Sequence, residues 1–391
     1  MDDLSCFEPS NLLHTQERME RYRPGGFHPV RLGDTFSGGR YTVHHKLGWG
    51  GFSTVWLARD QSLNKWVSLK ITTATDPESS RELTLHQKLR QAGAADGVVQ
   101  LLDSFIHEGP NGKHQCLVFE LLGPTVDGVA LDYHEGGDSL EAETVLRITR
   151  QLLQALAAMH RAGYAHGDVS GANVAFTARR LSGLASANDI FEIIGAPKTE
   201  KLVRCDGKAL SPGMPEQLVE KAAWDDWIDE DDEDVRLIDF GEAFPHDTPR
   251  DHLAEPGGLQ VPERIFTGEF DYRVDLWRAG CTIYGVVMGS RPFMYLGDMD
   301  FLVAQMIHFV EDLPEEWRPQ WEQMQKSTGR IRDDIPDRMT GPSKLEEMFK
   351  KNVTEPSLGP LLPIINGLMR FRPEDRISAE EALILLDGPA E

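Results

Sequence analysis

The chain has 391 residues, enough for one large domain or for two lobes with separate cores. Apolar content of 40% and charged content of 26% are ordinary for a globular protein. There is no apolar run of the roughly eighteen residues that a membrane span needs, and the acidic start Met1-Asp2-Asp3-Leu4 does not read as a signal peptide. Forty basic residues against 63 acidic ones give a net charge of −23, which argues against nucleic acid as the main partner and suits a basic protein partner; with no apolar run of that length, no membrane is expected either. Cys6, Cys116, Cys205 and Cys281 lie far apart, which fits a reducing compartment better than a zinc site or a disulfide framework.

Taken in order, residues 1–35 read as an N-terminal extension with mixed charge and little periodicity. Residues 36–122 read as a strand-rich lobe, with strands at Tyr41–Leu47, Ser53–Arg59, Trp66–Thr72, Val98–Phe105 and Gln115–Glu120 and one helix over 78–92. Residues 123–391 read as a helix-rich lobe. Its first long helix is expected to be capped by Ser139, with Glu141 and Glu143 in the first turn and Val145, Ile148, Leu152, Leu156 and Met159 on one face. An insert over 177–235 interrupts this lobe and ends in the acidic run Trp224–Asp234, expected to be a solvated loop. The expected class is α+β and bilobal.

Several motifs carry chemistry. Gly48-Trp49-Gly50-Gly51-Phe52-Ser53-Thr54-Val55 lies between two strands, where glycines let backbone N–H groups approach phosphates; the alternative is a simple hairpin turn. Fifteen residues on comes Val67-Ser68-Leu69-Lys70, a lysine on an apolar strand that needs an anionic partner. Glu82 is the first candidate and Glu78 its rival. Phe119-Glu120-Leu121-Leu122 would carry backbone contacts to a nucleotide base. His166-Gly167-Asp168 is followed by Asn173 and later by Asp239-Phe240-Gly241. In phosphoryl transfer one carboxylate orients the attacking hydroxyl, while an Asn and a second Asp hold magnesium through hard oxygen donors. Asp168 is thus the expected catalytic carboxylate, assisted by Lys70 and Glu82, with Asn173 and Asp239 as metal ligands. Leu47, Gly48, Gly50, Gly51, Phe52, Ser53, Val55, Lys70, Glu120 and Leu122 are the expected ATP contacts. Singly, each of these residues reads as a turn, cap or core position; their order and spacing carry the expectation.

Val261-Pro262-Glu263, Asp275-Leu276-Trp277 and Arg372-Pro373-Glu374-Asp375-Arg376 follow in the second lobe. With these in place the chain resembles protein kinases over about residues 27–386. Within them it is most similar to the kinases of serine/arginine-rich splicing factors, through Tyr22–Phe36 and through Lys46-Leu47-Gly48-Trp49-Gly50 with Phe52–Ala58. The position of the insert and Gly167, where most kinases have arginine, also agree. The resemblance implies a bilobal kinase fold, ATP and Mg2+ as cofactors, a Glu263–Arg376 pair, Asp275 bracing the catalytic loop, and activity that does not wait for phosphorylation of an activation loop. It also exposes departures. Ser170 stands where serine/threonine kinases carry lysine, and Phe244–Gln260, the expected substrate platform, matches the family poorly.

The first functional expectation is a serine/threonine protein kinase acting on Arg-Ser-rich segments, with Asp298, Asp300, Glu311 and Asp312 as candidates for an acidic docking groove. The second is a pseudokinase, for which Ser170 speaks. The third is a small-molecule phosphotransferase, because antibiotic and choline kinases share the His-Gly-Asp loop. A monomer is expected, in the cytoplasm with the nucleus as a second compartment.

Overall fold

The computed structural model describes residues 4–74, 81–248, 252–253, 257–328 and 343–388. The chain forms two compact units. One comprises Met1–His86, Val99–Gly123 and Thr177–Glu233; the other comprises Gln87–Val98, Pro124–Phe176 and Asp234–Glu391. The insert therefore clusters with the first unit, although it falls within the second lobe in sequence.

The first unit is built on a six-stranded antiparallel sheet. Its strands are β1 (Thr35–Phe36), β2 (Tyr41–Trp49), β3 (Ser53–Asp60), β4 (Lys65–Thr72), β5 (Leu101–Gly109) and β6 (Gly112–Glu120), in the order β1-β2-β3-β4-β6-β5. Alternation along each strand divides its side chains between two faces. Val43, Trp56, Ala58, Val67, Leu69, Ile71, Cys116 and Val118 pack on one of them with Val30, Phe36 and Val219, so the N-terminal segment and the insert contribute to the core over that face. Val55, Lys70 and Leu117 alternate with these residues. Val55 is the cross-strand partner of Lys70, and Lys70 that of Leu117, so these three stand in a row on the other face.

Residues 1–35 are more than an extension. Phe7, Leu12, Leu13, Met19, Tyr22 and Phe27 form a second cluster with Leu202 and Leu218 of the insert. Asn111 Nδ2 donates to Phe27 O at 2.7 Å and to Gly213 O at 2.8 Å, tying both segments to the turn between β5 and β6. The acidic run of the insert is likewise not a fully solvated loop. Trp227, Glu230 and Glu233 are buried, and Glu233 accepts from the Thr177 hydroxyl and from Arg179 N. A charge run hides such residues, because composition cannot tell which carboxylates find donors.

The second unit is helical. Helix Ala142–Arg161 buries Val145, Ile148, Leu152, Leu156 and Met159 as its periodicity predicts. Its N-cap is Glu141 and not Ser139, and no side-chain cap bond forms there. Helix Val274–Met288 is buried on nearly every side, including Asp275 and Arg278. Two antiparallel pairings frame the loop that carries Asp168. Tyr164–Ala165 pairs with Phe244–Pro245, and Val174–Phe176 pairs with Val235–Leu237. Among the described residues no helix is long and apolar enough to cross a membrane.

Candidate active site

In the first unit, the glycine-rich segment is the turn between β2 and β3. It is closed by Gly50 N donating to Ser53 O at 2.9 Å, with Gly48 opposite Val55. A Cβ added at Gly48, Gly50 or Gly51 would meet nothing within 4 Å, and none of the three has positive φ. The fold itself does not demand glycine there, which leaves the backbone open to a ligand's approach. Leu47 and Val55 are half-buried, Phe52 is exposed and Ser53 is buried. Lys70 Nζ donates to Glu82 Oε1 at 2.8 Å and to Oε2 at 2.7 Å, and both residues are buried. The strand holds the ammonium in an apolar row, and the first turn of helix Arg81–Gln91 supplies the carboxylate. The rival Glu78 lies outside the described residues. Glu120 ends β6, where its Oε1 accepts from Gln100 N at 2.9 Å, and Leu122 is buried two residues on.

In the second unit, Asn173 Nδ2 donates to Asp168 O at 2.7 Å and to Asp168 Oδ2 at 2.9 Å. The other oxygen, Asp168 Oδ1, is buried and has no hydrogen-bond partner among the described residues. Asp168 N donates to His166 Nδ1 at 3.2 Å, while His166 Nε2 lies 2.9 Å from Ile238 O. Ile238 N in turn donates to Asn173 O at 2.9 Å, which ties the segment before Asp239 to the loop before Val174. Asp239 has left-handed backbone (φ 60°, ψ 78°), an uncommon conformation for a residue with a side chain, and its carboxylate accepts from Gly241 N. Asp275 accepts from His166 N at 2.7 Å and from Gly167 N at 2.8 Å, and it lies 3.0 Å from His160 Nε2.

The electrostatics follow from burial and these partners. Burial pushes the Asp168 carboxyl above its ordinary value, and the Arg278 guanidinium opposes that rise. Burial also works against the charge on Asp275, but the bonds from His160 and from the His166 backbone prevail and hold it below the usual carboxylate range. A carboxylate held by the Asn173 amide and facing the Arg278 guanidinium at 3.6 Å is fixed in one orientation, as a group that orients a hydroxyl must be. Asn173 and Asp239 offer oxygen donors of the kind Mg2+ takes, supplemented by phosphate and water. The open glycine turn and the Lys70–Glu82 pair fit a nucleotide triphosphate.

Comparison with known proteins agrees. The protein kinase domain model matches residues 41–182. A solved kinase domain superposes with a TM-score of 0.57 at 18% identity, covering 91% of this chain and 98% of its own. The chain is 40% identical over 167 residues to protein kinase dsk1 of Schizosaccharomyces pombe, a match covering 41% of this chain and 30% of the relative. It is 27% identical over 401 residues to the serine/threonine-protein kinase SRPK of Physarum polycephalum, covering 94% of this chain and 90% of the relative. SRSF protein kinase 3 of Homo sapiens is 36% identical over 168 residues, covering 41% and 29%.

The chain carries a protein kinase domain match, and these relatives are SRPK-type kinases.

The supports expected of a kinase are present in its second unit. Arg376 clasps Glu263 through two parallel bonds, Nη1 to Oε1 at 2.8 Å and Nη2 to Oε2 at 2.6 Å, with both residues buried. Asp275 braces the loop that carries Asp168 through the two backbone bonds given above. The expected acidic groove fares differently. Asp300 is buried and accepts from the Thr328 hydroxyl at 3.3 Å, and Glu311 holds Phe371 N at 2.8 Å and Arg370 at 2.7 Å. Both are committed to contacts within the fold, which leaves Asp312 exposed and Asp298 half-buried. The sequence reading also passed over Arg278, whose guanidinium reaches the loop of Asp168. An arginine in a run of apolar helix residues was the available signal.

Proposed function

We propose that this protein is a Mg-ATP-dependent serine/threonine protein kinase that phosphorylates serine hydroxyls in Arg-rich protein segments. The observation that carries the reading is Asp168. One carboxylate oxygen is fixed by Asn173, and the other is buried 3.6 Å from the Arg278 guanidinium, so the carboxylate is held in one orientation. In this reading Lys70, aligned by Glu82, binds the α- and β-phosphates, the Gly48–Ser53 turn binds phosphate through backbone N–H groups, and Val55, Glu120 and Leu122 contact the base. Asn173 and Asp239 would hold Mg2+, which neutralises phosphate charge when bound. Asp168 orients the acceptor hydroxyl and receives its proton. The net charge of −23 supports a basic substrate, as does the similarity to proteins named SRPK and SRSF protein kinase.

The small-molecule phosphotransferase reading loses ground to the Glu263–Arg376 pair and the Asp275 brace, which that group does not share. The test is transfer of labelled γ-phosphate from Mg-ATP to an Arg-Ser-repeat peptide beside an Asp168→Asn control. Transfer that the control loses supports the proposal. Nucleotide binding without transfer to any protein acceptor would favour a scaffold role, and faster transfer to a small hydroxylated acceptor would favour the alternative.

A further inference from the structure

Two cationic side chains that kinases usually place around the catalytic Asp are missing here, since the positions hold Gly167 and Ser170. The first cannot be restored in this backbone. Gly167 has φ +75°, and a Cβ there would lie 2.6 Å from Glu242 O. A positive charge nonetheless reaches Asp168 from elsewhere. Arg278, one turn along helix Val274–Met288 from Asp275, is fully shielded from solvent. Its Nη1 donates to Gly167 O at 2.5 Å and lies 3.6 Å from Asp168 Oδ1, the oxygen that has no hydrogen-bond partner. Its Nε donates to Leu259 O at 3.1 Å, at the end of the segment expected to form the substrate platform.

Burying a guanidinium is costly, and an apolar residue would suit this helix better. The Gly167–Asp168 peptide is held at both ends: Gly167 N by Asp275, Gly167 O by Arg278, Asp168 N by His166 and Asp168 O by Asn173. We propose that Arg278 is a positioning residue for phosphoryl transfer, fixing the Gly167–Asp168 turn and the Leu259 backbone together and aiming Asp168 Oδ1 by its charge. At 3.6 Å the guanidinium attracts that buried oxygen from beyond hydrogen-bond reach and so holds the carboxylate in one orientation. The positive charge beside Asp168 thus comes from a helix and not from the loop itself.

The inference rests on the phosphotransfer reading above. The test compares wild type with Arg278→Gln and Arg278→Lys. Each is measured for thermal midpoint, for the dissociation constant of a fluorescent ATP analogue, and for kcat and KM with an Arg-Ser-repeat peptide. Gln keeps a donor toward Gly167 O but loses the charge, and Lys keeps the charge but loses the fork. Expected is a kcat roughly 10- to 100-fold lower for Gln and several-fold lower for Lys, with nucleotide affinity and peptide KM within about twofold of wild type. A folded Gln variant that keeps its kcat overturns the inference. So does a loss shared equally by nucleotide affinity, KM and kcat, which would mark a purely structural role. Should the Gln variant not fold, the Lys variant decides, and an unchanged kcat overturns the inference. Wild type that binds nucleotide and transfers to no acceptor overturns the phosphotransfer reading and this inference with it.

Discussion

Glu17 and Lys46 form an ion pair almost wholly shielded from solvent, joining the N-terminal segment to the strand that leads into the glycine-rich turn. The Tyr22 hydroxyl donates to the same glutamate, and the Lys46 ammonium also lies 5.5 Å from the Trp56 ring. Burial lowers the Lys46 pKa, and the Glu17 charge opposes that change. Arg21, four residues after Glu17, donates to Gly51 O and stacks on the exposed Phe52 ring. The segment before residue 35 thus holds the glycine-rich turn at its base and at its tip.

Glu17→Ala should therefore destabilise the protein more than a surface change would. It leaves a buried ammonium unpaired, for which about 3–5 kcal/mol is typical. Urea denaturation checks this, and Glu17→Met combined with Lys46→Met should recover much of the loss. A single variant as stable as wild type would contradict the pairing.

Glu82→Gln should lower transfer to the Arg-Ser-repeat peptide by about tenfold or more while nucleotide still binds. Lys70 would keep its strand position but lose the charge that orients it. Lys70→Met should lower both nucleotide affinity and transfer. Titration of a fluorescent ATP analogue beside the transfer assay separates the two effects.

Asp275→Asn should be severe although Asp275 is not placed at the chemistry. An amide presents one acceptor where the carboxylate serves two backbone N–H groups and stands beside His160. Leaving buried donors unsatisfied costs about 1–3 kcal/mol each. The Asp275 pKa is held low, so the stability it contributes is present above the unfolded carboxylate value and is lost as pH falls through the folded one. The wild-type thermal midpoint should fall in acid, and the variant should lack that part of the fall.

The His28 ring adds acid sensitivity of the same sign in a higher pH window. Burial, with His107 and His114 alongside, lowers its pKa from 6.5 to about 3. Between these values the unfolded chain binds the extra proton and the native state does not, so stability rises with pH across this window and is lost as pH falls below about 6.5. Each unit of such a shift corresponds to about 1.4 kcal/mol. His28→Phe should flatten the acid limb of the stability profile between pH 4 and 6.5, as measured by denaturant midpoints. A limb of unchanged steepness would place the acid sensitivity elsewhere.

Much of the candidate site's geometry was legible in the sequence, because the side chains sought for phosphoryl transfer stand at fixed spacings. The choice of Glu82 as the partner of Lys70 matches the geometry, as does the bracing of the loop by Asp275. Strand alternation and the helix period also placed their elements, with shifts of a few residues: β5 begins at Leu101 where Val98 was expected, and it runs on to Gly109. Arg278 was not legible, because a cation in an apolar helix carries no spacing signal toward a loop 110 residues earlier. Asp300 and Glu311 misled for a related reason, since a charged residue reads as surface until its donors are known.

By itself the sequence determined the local chemistry: which residues alternate, where the glycine-rich turn falls, and which carboxylates stand at transfer spacing. Those properties act over a few bonds or one period of an element. Only the tertiary structure decided that the first 35 residues and the insert share a hydrophobic cluster, that Glu17 neutralises Lys46, and that Arg278 reaches Asp168. Each of these is a contact between distant parts of the chain, set by burial and by the need to pair buried charge, and no local pattern records it.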